Sequence, residues 1–262
     1  MHKQIEEHKQ IEERSLNAWP ALQTFLYDGW LLRFADGYTK RSNSIQPLYA
    51  PEMQSGSISG KVRRCESLYT SAGLDTIFKI TPFVTPGDLD PFLEERGYER
   101  VDPTSVKTAP LTGLREPSLP EIRIEETLST DWLRTMAAFQ HLSETNQGIT
   151  ARLLQPSCLK KGFFTLYKEG KPVACGLGVI EQGDIGLYDI VTNPNERNKG
   201  YGEQLILHML QWARREGAAR CYLLVVQQNL PAVRLYEKLN FQEIYTYWYR
   251  VKKRADLPQV SD

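Results

Sequence analysis

The carboxyl-terminal half of the chain reads as short apolar runs followed by helical spacing. Residues 163–168 and 172–180 are apolar runs joined by an EGK turn, the pattern of a hairpin, and a third strand is expected from Ile185 to Thr192. Leu205, Ile206, Met209, Leu210 and Ala213 then recur with helical spacing, so this segment is expected to lay one face on a sheet. CYLLVVQ (221–227) is apolar on both faces, as a central strand is. A short helix is expected from near Asn229, and FQEIYTYWYRV (241–251) reads as the last strand. Upstream, IRIEETL (122–128) predicts a strand and STDWLRTMAAFQHL a helix capped by Ser129 or Thr130. The stretch 141–160 is expected as loops.

The same order of elements recurs earlier in the chain. GWLLRFADG (29–37) matches GFFTLYKEG (162–170), each an apolar run ending in an acidic-Gly turn. CESLYTSAGLDTIFKITP (65–82) matches QWARREGAARCYLLVVQ (211–227), a helix ended near Gly73 or Gly217 and then a buried strand. FLEERGYERV (92–101) matches LYEKLNFQEI (235–244), helix then strand. The offsets are 133, 144 and 143, which predicts two copies of one α/β unit, the first lacking about a hairpin's length of chain. The linker is expected at LTGLREPSLP (111–120), where Pro117 and Pro120 bracket a polar turn.

Composition restricts the partners. With 262 residues and 41% hydrophobic content the chain can bury a core, and 32 Lys plus Arg balance 32 Asp plus Glu. No overall field draws it to nucleic acid or an anionic membrane. The charged start MHKQIEEHKQIEE has no signal-type apolar segment and no later run approaches a bilayer span, so a cytoplasmic location is expected. HKQIEE at 2–7 is repeated at 8–13 and reads as a helical extension with no assigned role. Cys65, Cys158, Cys175 and Cys221 form no CxxC pair and the four His show no ligand spacing, so neither a metal site nor a disulfide framework is expected.

The distinctive chemistry lies in NERNKGYGEQL (195–205). A helix N-terminus offers free backbone N–H groups and the positive end of the helix dipole, and glycines let an anion approach the backbone. Only one residue separates Gly200 from Gly202, so this is not GxxxxGK[ST], and Leu205 stands where GxGxxG would need its third glycine. What remains is Arg-x-x-Gly-x-Gly, from Arg197 to Gly202, between a strand and a helix.

DIVTNPNERNKGYGEQLILHML and CYLLVVQQNLPAVRLYEKLNFQEI together resemble the acyl-CoA site of the GNAT superfamily of N-acyltransferases, with both motifs in order and at the usual distance. The resemblance implies an α/β (α+β) fold of two GNAT-like lobes, each a mixed, mostly antiparallel twisted sheet flanked by helices. It implies a helical extension at 1–14, a degenerate domain at 15–115, a catalytic domain at 120–254 and a tail at 255–262. It further implies that the amides of Arg197, Asn198, Lys199, Gly200, Tyr201 and Gly202 hold the pyrophosphate of acetyl-CoA. Ile190, Val191 and Thr192, at the end of a strand that splays from its neighbour, would contact the pantetheine and thioester. The Asn and Tyr of the second motif fall on Asn229 and Tyr236, while Asn240 stands where the family commonly has Gly and can still adopt the left-handed conformation of a helix end.

The expected reaction is acetyl transfer to a small amine or a peptide, with no covalent enzyme intermediate. Tyr236 is the expected proton donor to the departing thiolate, in keeping with the family role; Asp189, beside the expected thioester, is the first choice of base, ahead of Glu144. The alternative is a catalytically quiet acyl-CoA-binding module. Shifting the motif back one unit lands Arg197, Gly200, Gly202 and Tyr236 on Met53, Gly56, Ile58 and Leu93, so the first unit is read as having lost its coenzyme site. Its segment YDGWLLRFADGYTKRSNS (27–44) is the expected wall of the acceptor pocket. Both a monomer and a homodimer are consistent with the sequence.

Overall fold

The computed structural model describes residues 2–49, 57–155 and 157–256. Met53 and Gly56 of the shifted motif, and 257–262 of the tail, lie outside the described residues. The first unit comprises α1 (His2–Ala18), β1 (Gln23–Tyr27), β2 (Trp30–Phe34), β3 (Ile45–Pro47), α2 (Ile58–Ser71), β4 (Thr76–Ile80), α3 (Leu89–Glu95) and β5 (Glu99–Pro110). The second comprises β6 (Ile122–Glu125), α4 (Thr130–Gln140), α5 (Glu144–Leu154), β7 (Lys160–Lys168), β8 (Lys171–Glu181), β9 (Asp184–Thr192), α6 (Tyr201–Arg215), β10 (Arg220–Val226), α7 (Leu230–Lys238) and β11 (Gln242–Lys252). It is a mixed α/β fold with helices flanking a mixed, mostly antiparallel sheet, as expected.

Both units contribute to one continuous eleven-stranded sheet in the order β1-β2-β3-β4-β11-β5-β10-β9-β8-β7-β6. The final strands are exchanged. β11 pairs antiparallel with β4 and β5, never with β10, and β5 pairs antiparallel with β10, never with β4. β5 can bridge the units because it runs for twelve residues, well beyond the short strand that YERV suggests. A further tie is ionic: Arg250 of β11 donates to Asp90 at 2.7 Å and lies 3.1 Å from Glu94, both on α3.

Two expectations change. First, α5 occupies much of the stretch expected as loops; Ser143 caps it by accepting from the Asn146 amide at 3.2 Å. Its Thr, Asn and Gly content weakens the helical signal, and it is buried only on Ile149, Thr150, Leu153 and Leu154. Second, the counterpart of the Glu169–Gly170 turn is Asp28–Gly29, not Asp36–Gly37. Both turns join directly paired strands and have positive φ at both residues (47° and 78°, 52° and 70°), the type I′ geometry. Their offset is 141, close to the other two, so the first unit lacks no hairpin there.

The amino-terminal helix is wedged into the core. Ile11 and Glu12 are fully buried; Glu12 accepts from Lys79 of β4 and, at 2.8 Å, from the Tyr245 hydroxyl of β11. Asp184, at the start of β9, accepts from Arg14 and, at 2.9 and 2.8 Å, from Arg220.

Candidate active site

β9 and β10 are parallel neighbours from the Arg220–Asp184 pair to the Leu223–Leu187 pair, and then stop pairing although both strands continue. On its other side β9 bulges: Leu177 of β8 faces Tyr188 and Cys175 faces Val191, so Asp189 and Ile190 together oppose Gly176. Asp189 carries the strain of the bulge at φ 49°. Gly176 gives room for it, since a Cβ there would come within 2.6 Å of the Ile190 Cδ1.

Asp189 lines a cavity of about 270 Å³ at the point where the strands part. Its Oδ1 accepts a long hydrogen bond, 3.4 Å, from the Gln140 side chain, while Oδ2 is buried with no partner among the described residues. Burial pushes the carboxyl pKa up, against the pull of Arg41 and Gln140. The other walls include Trp19, Tyr38, Thr39, Lys40 and Arg41 of the first unit, Asp102 and Thr104 of β5, and Tyr247 and Tyr249 of β11. The segment 27–44 thus supplies part of this wall, through Tyr38 to Arg41.

Asn43 holds that segment in place. Its Oδ1 accepts from the Ala35 and Gly37 amides at 2.7 and 3.1 Å, and its Nδ2 donates to the Tyr38 and Thr39 carbonyls at 2.7 and 3.0 Å. The fully connected amide side chain sustains a left-handed Thr39 (φ 61°), an unfavourable conformation for a β-branched residue. Buried Arg33 adds hydrogen bonds to the Leu16, Trp19 and Arg41 carbonyls, joining the end of α1 to the wall; desolvation lowers its pKa to about 10.

After β9, a single 3-10 turn (Pro194–Glu196) leads into the motif. Asn198 and Gly200 take positive φ, 64° and 81°, and α6 starts with Gly200 at its N-cap and no side-chain cap. The first amides of α6 therefore lack the side-chain acceptor that Ser129 and Ser143 give α4 and α5. Arg197, Asn198, Lys199 and Gly200 are exposed, and Lys199 pairs with Glu196 at 2.7 Å. Gly202 is where three elements meet: a Cβ there would lie 3.3 Å from Leu235 of α7 and 3.4 Å from the Thr192 hydroxyl.

Asn229 caps α7, accepting from the Ala232 amide at 3.4 Å. Tyr236 is buried, its ring edge-to-face with Phe241 at 5.7 Å, and burial raises the phenol pKa. It does not line the cavity that holds Asp189. Glu144 sits exposed on the first turn of α5, away from that cavity. Sequence reasoning missed Trp19, Asp102, Gln140, Tyr247 and Tyr249 as lining residues. The period-two tyrosines of YTYWYRV were the available signal, since Tyr245, Tyr247 and Tyr249 share one face.

Comparison with known proteins agrees with this geometry. A family model described as "Probable histone acetyltransferase Rv0428c C-terminal" matches residues 6–250. The uncharacterized N-acetyltransferase YobR of Bacillus subtilis is 32% identical over 257 residues, covering 95% of this chain and 100% of that protein. The ribosomal protein bS18-alanine N-acetyltransferase of Escherichia coli is 30% identical over 80 residues, covering 30% of this chain and 54% of that one. A GCN5-related N-acetyltransferase from Kribbella flavida has the same fold, with a TM-score of 0.70 over 94% of each chain at 15% identity. A tandem GNAT protein from the clavulanic acid biosynthesis pathway superposes with a TM-score of 0.62 at 14% identity, over 84% of this chain and 76% of that one. Matched almost end to end by both a family and a full-length relative, the chain belongs to the Rv0428c C-terminal family of the GNAT superfamily and is an acyltransferase.

Proposed function

We propose that the protein is an N-acetyltransferase that moves the acetyl group of acetyl-CoA to a primary amine by direct attack in a ternary complex, in the cytoplasm. The observation that carries this reading is the parting of β9 and β10 beyond Leu187 and Leu223, directly ahead of a helix whose N-terminus has no side-chain cap. The amides from Arg197 to Gly202 suit a pyrophosphate, with Arg197 adding charge and Lys199 partly committed to Glu196. Ile190, Val191 and Thr192, freed from pairing with β10, suit the pantetheine arm, and a backbone N–H near Val191 or Thr192 suits the developing oxyanion.

In the transfer, the amine nitrogen forms a bond to the acetyl carbon, the C–S bond breaks, and the electron pair leaves on sulfur. Asp189 takes the proton lost by nitrogen, directly or through water. Tyr236 gives a proton to the thiolate; burial raises its pKa, so the phenol carries its proton at neutral pH. Asn229 positions α7 and the coenzyme beside it.

The test is the melting temperature of wild type and Arg197→Ala with saturating acetyl-CoA. Ligand at about a hundred times its Kd adds about 2.7 kcal/mol of stability. A wild-type shift that weakens in the variant supports the reading; no shift in either rejects it. For the donor role, Tyr236→Phe is expected to lower kcat about 10²-fold or more while the acetyl-CoA shift persists.

A further inference from the structure

Among the described residues, eight buried side-chain polar atoms have no hydrogen-bond partner, and four of the eight belong to residues lining the one cavity at Asp189. They are Trp19 Nε1, Thr39 Oγ1, Arg41 Nε and Asp189 Oδ2. Folded proteins satisfy nearly all buried polar groups, so such a concentration marks a place where a ligand completes the bonding. The atoms are of two kinds. Trp19 Nε1, Arg41 Nε and the Thr39 hydroxyl can donate, and Arg41 is cationic; Asp189 Oδ2 accepts and its carboxyl is the anionic group.

The two charges share a cavity without satisfying each other. Arg41 and Asp189 make no ion pair, whereas the neighbouring Lys40 and Asp102 do, at 2.9 Å, and so neutralise themselves. Arg41 is instead laid against the rings of Trp19 and Tyr188, 5.7 and 5.6 Å from their centroids, which fixes its orientation in advance. Its planar fork suits a carboxylate. The volume, about 270 Å³, falls just below the roughly 300–1,000 Å³ of drug-sized ligand sites, and the Tyr247 and Tyr249 side chains offer an aromatic wall.

We propose that the acceptor is a small zwitterion, an amino acid, whose carboxylate is bound by Arg41 with Trp19 and Thr39, and whose amino group is presented at Asp189. This rests on the reading of the β9–β10 opening as the acyl-transfer site and names its substrate class. The division of labour is between units: the first, with no coenzyme motif in its sequence, holds the carboxylate, and the second performs the transfer. A peptide amino terminus or a polyamine has no carboxylate beside its amine and would leave Arg41 unmatched.

The experiment measures thiol release from acetyl-CoA with the twenty standard amino acids, each beside its decarboxylated amine where one exists, together with spermidine, kanamycin and a peptide amino terminus. Calorimetric titration of the same compounds reads binding separately. At least one amino acid is expected to exceed its decarboxylated partner 100-fold in kcat/KM. Arg41→Gln is expected to shrink that ratio at least tenfold and Arg41→Lys to keep part of it, with the acetyl-CoA melting shift as the check of folding. A merely structural role for Arg41 would lower both members of each pair alike and overturns the proposal. So does faster turnover of a carboxylate-free amine or the peptide than of every amino acid. A retained acetyl-CoA shift with no amino acid bound or acetylated also overturns it, yet leaves the acetyltransferase reading standing; loss of the shift in wild type removes both.

Discussion

Asp189 shows how one backbone irregularity sets the chemistry of a side chain. In a regular strand, residues 189 and 190 would each face a partner on β8; here both oppose Gly176, and Asp189 is turned into the cavity with one oxygen unsatisfied. A carboxyl whose folded pKa lies above its unfolded value destabilises the ionised protein, because the folded state binds the proton more tightly. Stability contributed by this group therefore declines as pH rises from the ordinary carboxylate range through the raised folded value, and stays low beyond it. Asp189→Asn is expected to melt above wild type at pH 7, with the difference closing as the pH falls towards 4 and below, while kcat drops about 10²-fold or more. Melting curves across that range, with thiol release at each pH, check both. Gly186 makes the opposite point, that a residue without a side chain can be the constraint. A Cβ there would meet the Tyr222 hydroxyl at 2.5 Å and Tyr188 at 2.7 Å, two rings already joined by a 3.0 Å hydrogen bond. Gly186→Ala is expected to cost about 1–3 kcal/mol in urea denaturation. Neither property was legible beforehand: the strand around Asp189 was readable from its apolar run, but a bulge leaves the period-two pattern too short to register the slip.

At the scale of elements, the periodicities found nearly every strand and helix of the second unit, while the internal repeat located α2, β4 and α3 of the first but misaligned its opening hairpin. Asn240 takes φ 62°, the left-handed conformation expected there at the end of α7. The exchange of β5 and β11 had no local signature. β5 (ERVDPTSVKTAP) is largely polar, and nothing in either strand's sequence says which neighbour it will choose; the exchange is tied instead by Arg250 of β11, which reaches Asp90 and Glu94 of α3. Separating the units at residue 118 would thus strip β10 of β5 and leave β11 with neither of its partners. The fragment 119–262 alone is expected to lack a cooperative melting transition, and co-expression with 1–118 to restore one together with acetyl-CoA binding. An independently stable, fully active 119–262 fragment would show that the first unit contributes neither strands nor a pocket wall.

For the whole molecule, the contact least visible in the chain's patterning ties the amino-terminal helix to both units. The repeated HKQIEE reads as a helical extension with no assigned role, because mixed charge at every turn hides which face is inward. The second copy carries Glu12, which accepts hydrogen bonds from Lys79 of β4 and Tyr245 of β11; Glu12 and Lys79 are both essentially inaccessible to water, and the Lys79 ammonium lies 3.8 Å from the Tyr247 ring centroid. One carboxylate thus joins α1, the first unit's sheet and the exchanged strand, close to the tyrosines that wall the cavity. Removing one partner of a buried ion pair leaves the other charge uncompensated, which costs about 3–5 kcal/mol. Glu12→Ala is therefore expected to lose that much in urea denaturation. Because the lost contact sits at the junction of the units, the same variant is expected to weaken acceptor use, read as a raised acceptor KM, more than it weakens the acetyl-CoA melting shift. Glu12→Met with Lys79→Met removes both charges and should recover most of the stability, since a buried pair replaced by apolar groups of similar size is often neutral. If the double variant regains stability and acceptor KM together, the junction acts through packing; if stability returns while KM stays high, the ion pair itself sets the position of the Tyr247 and Tyr249 wall.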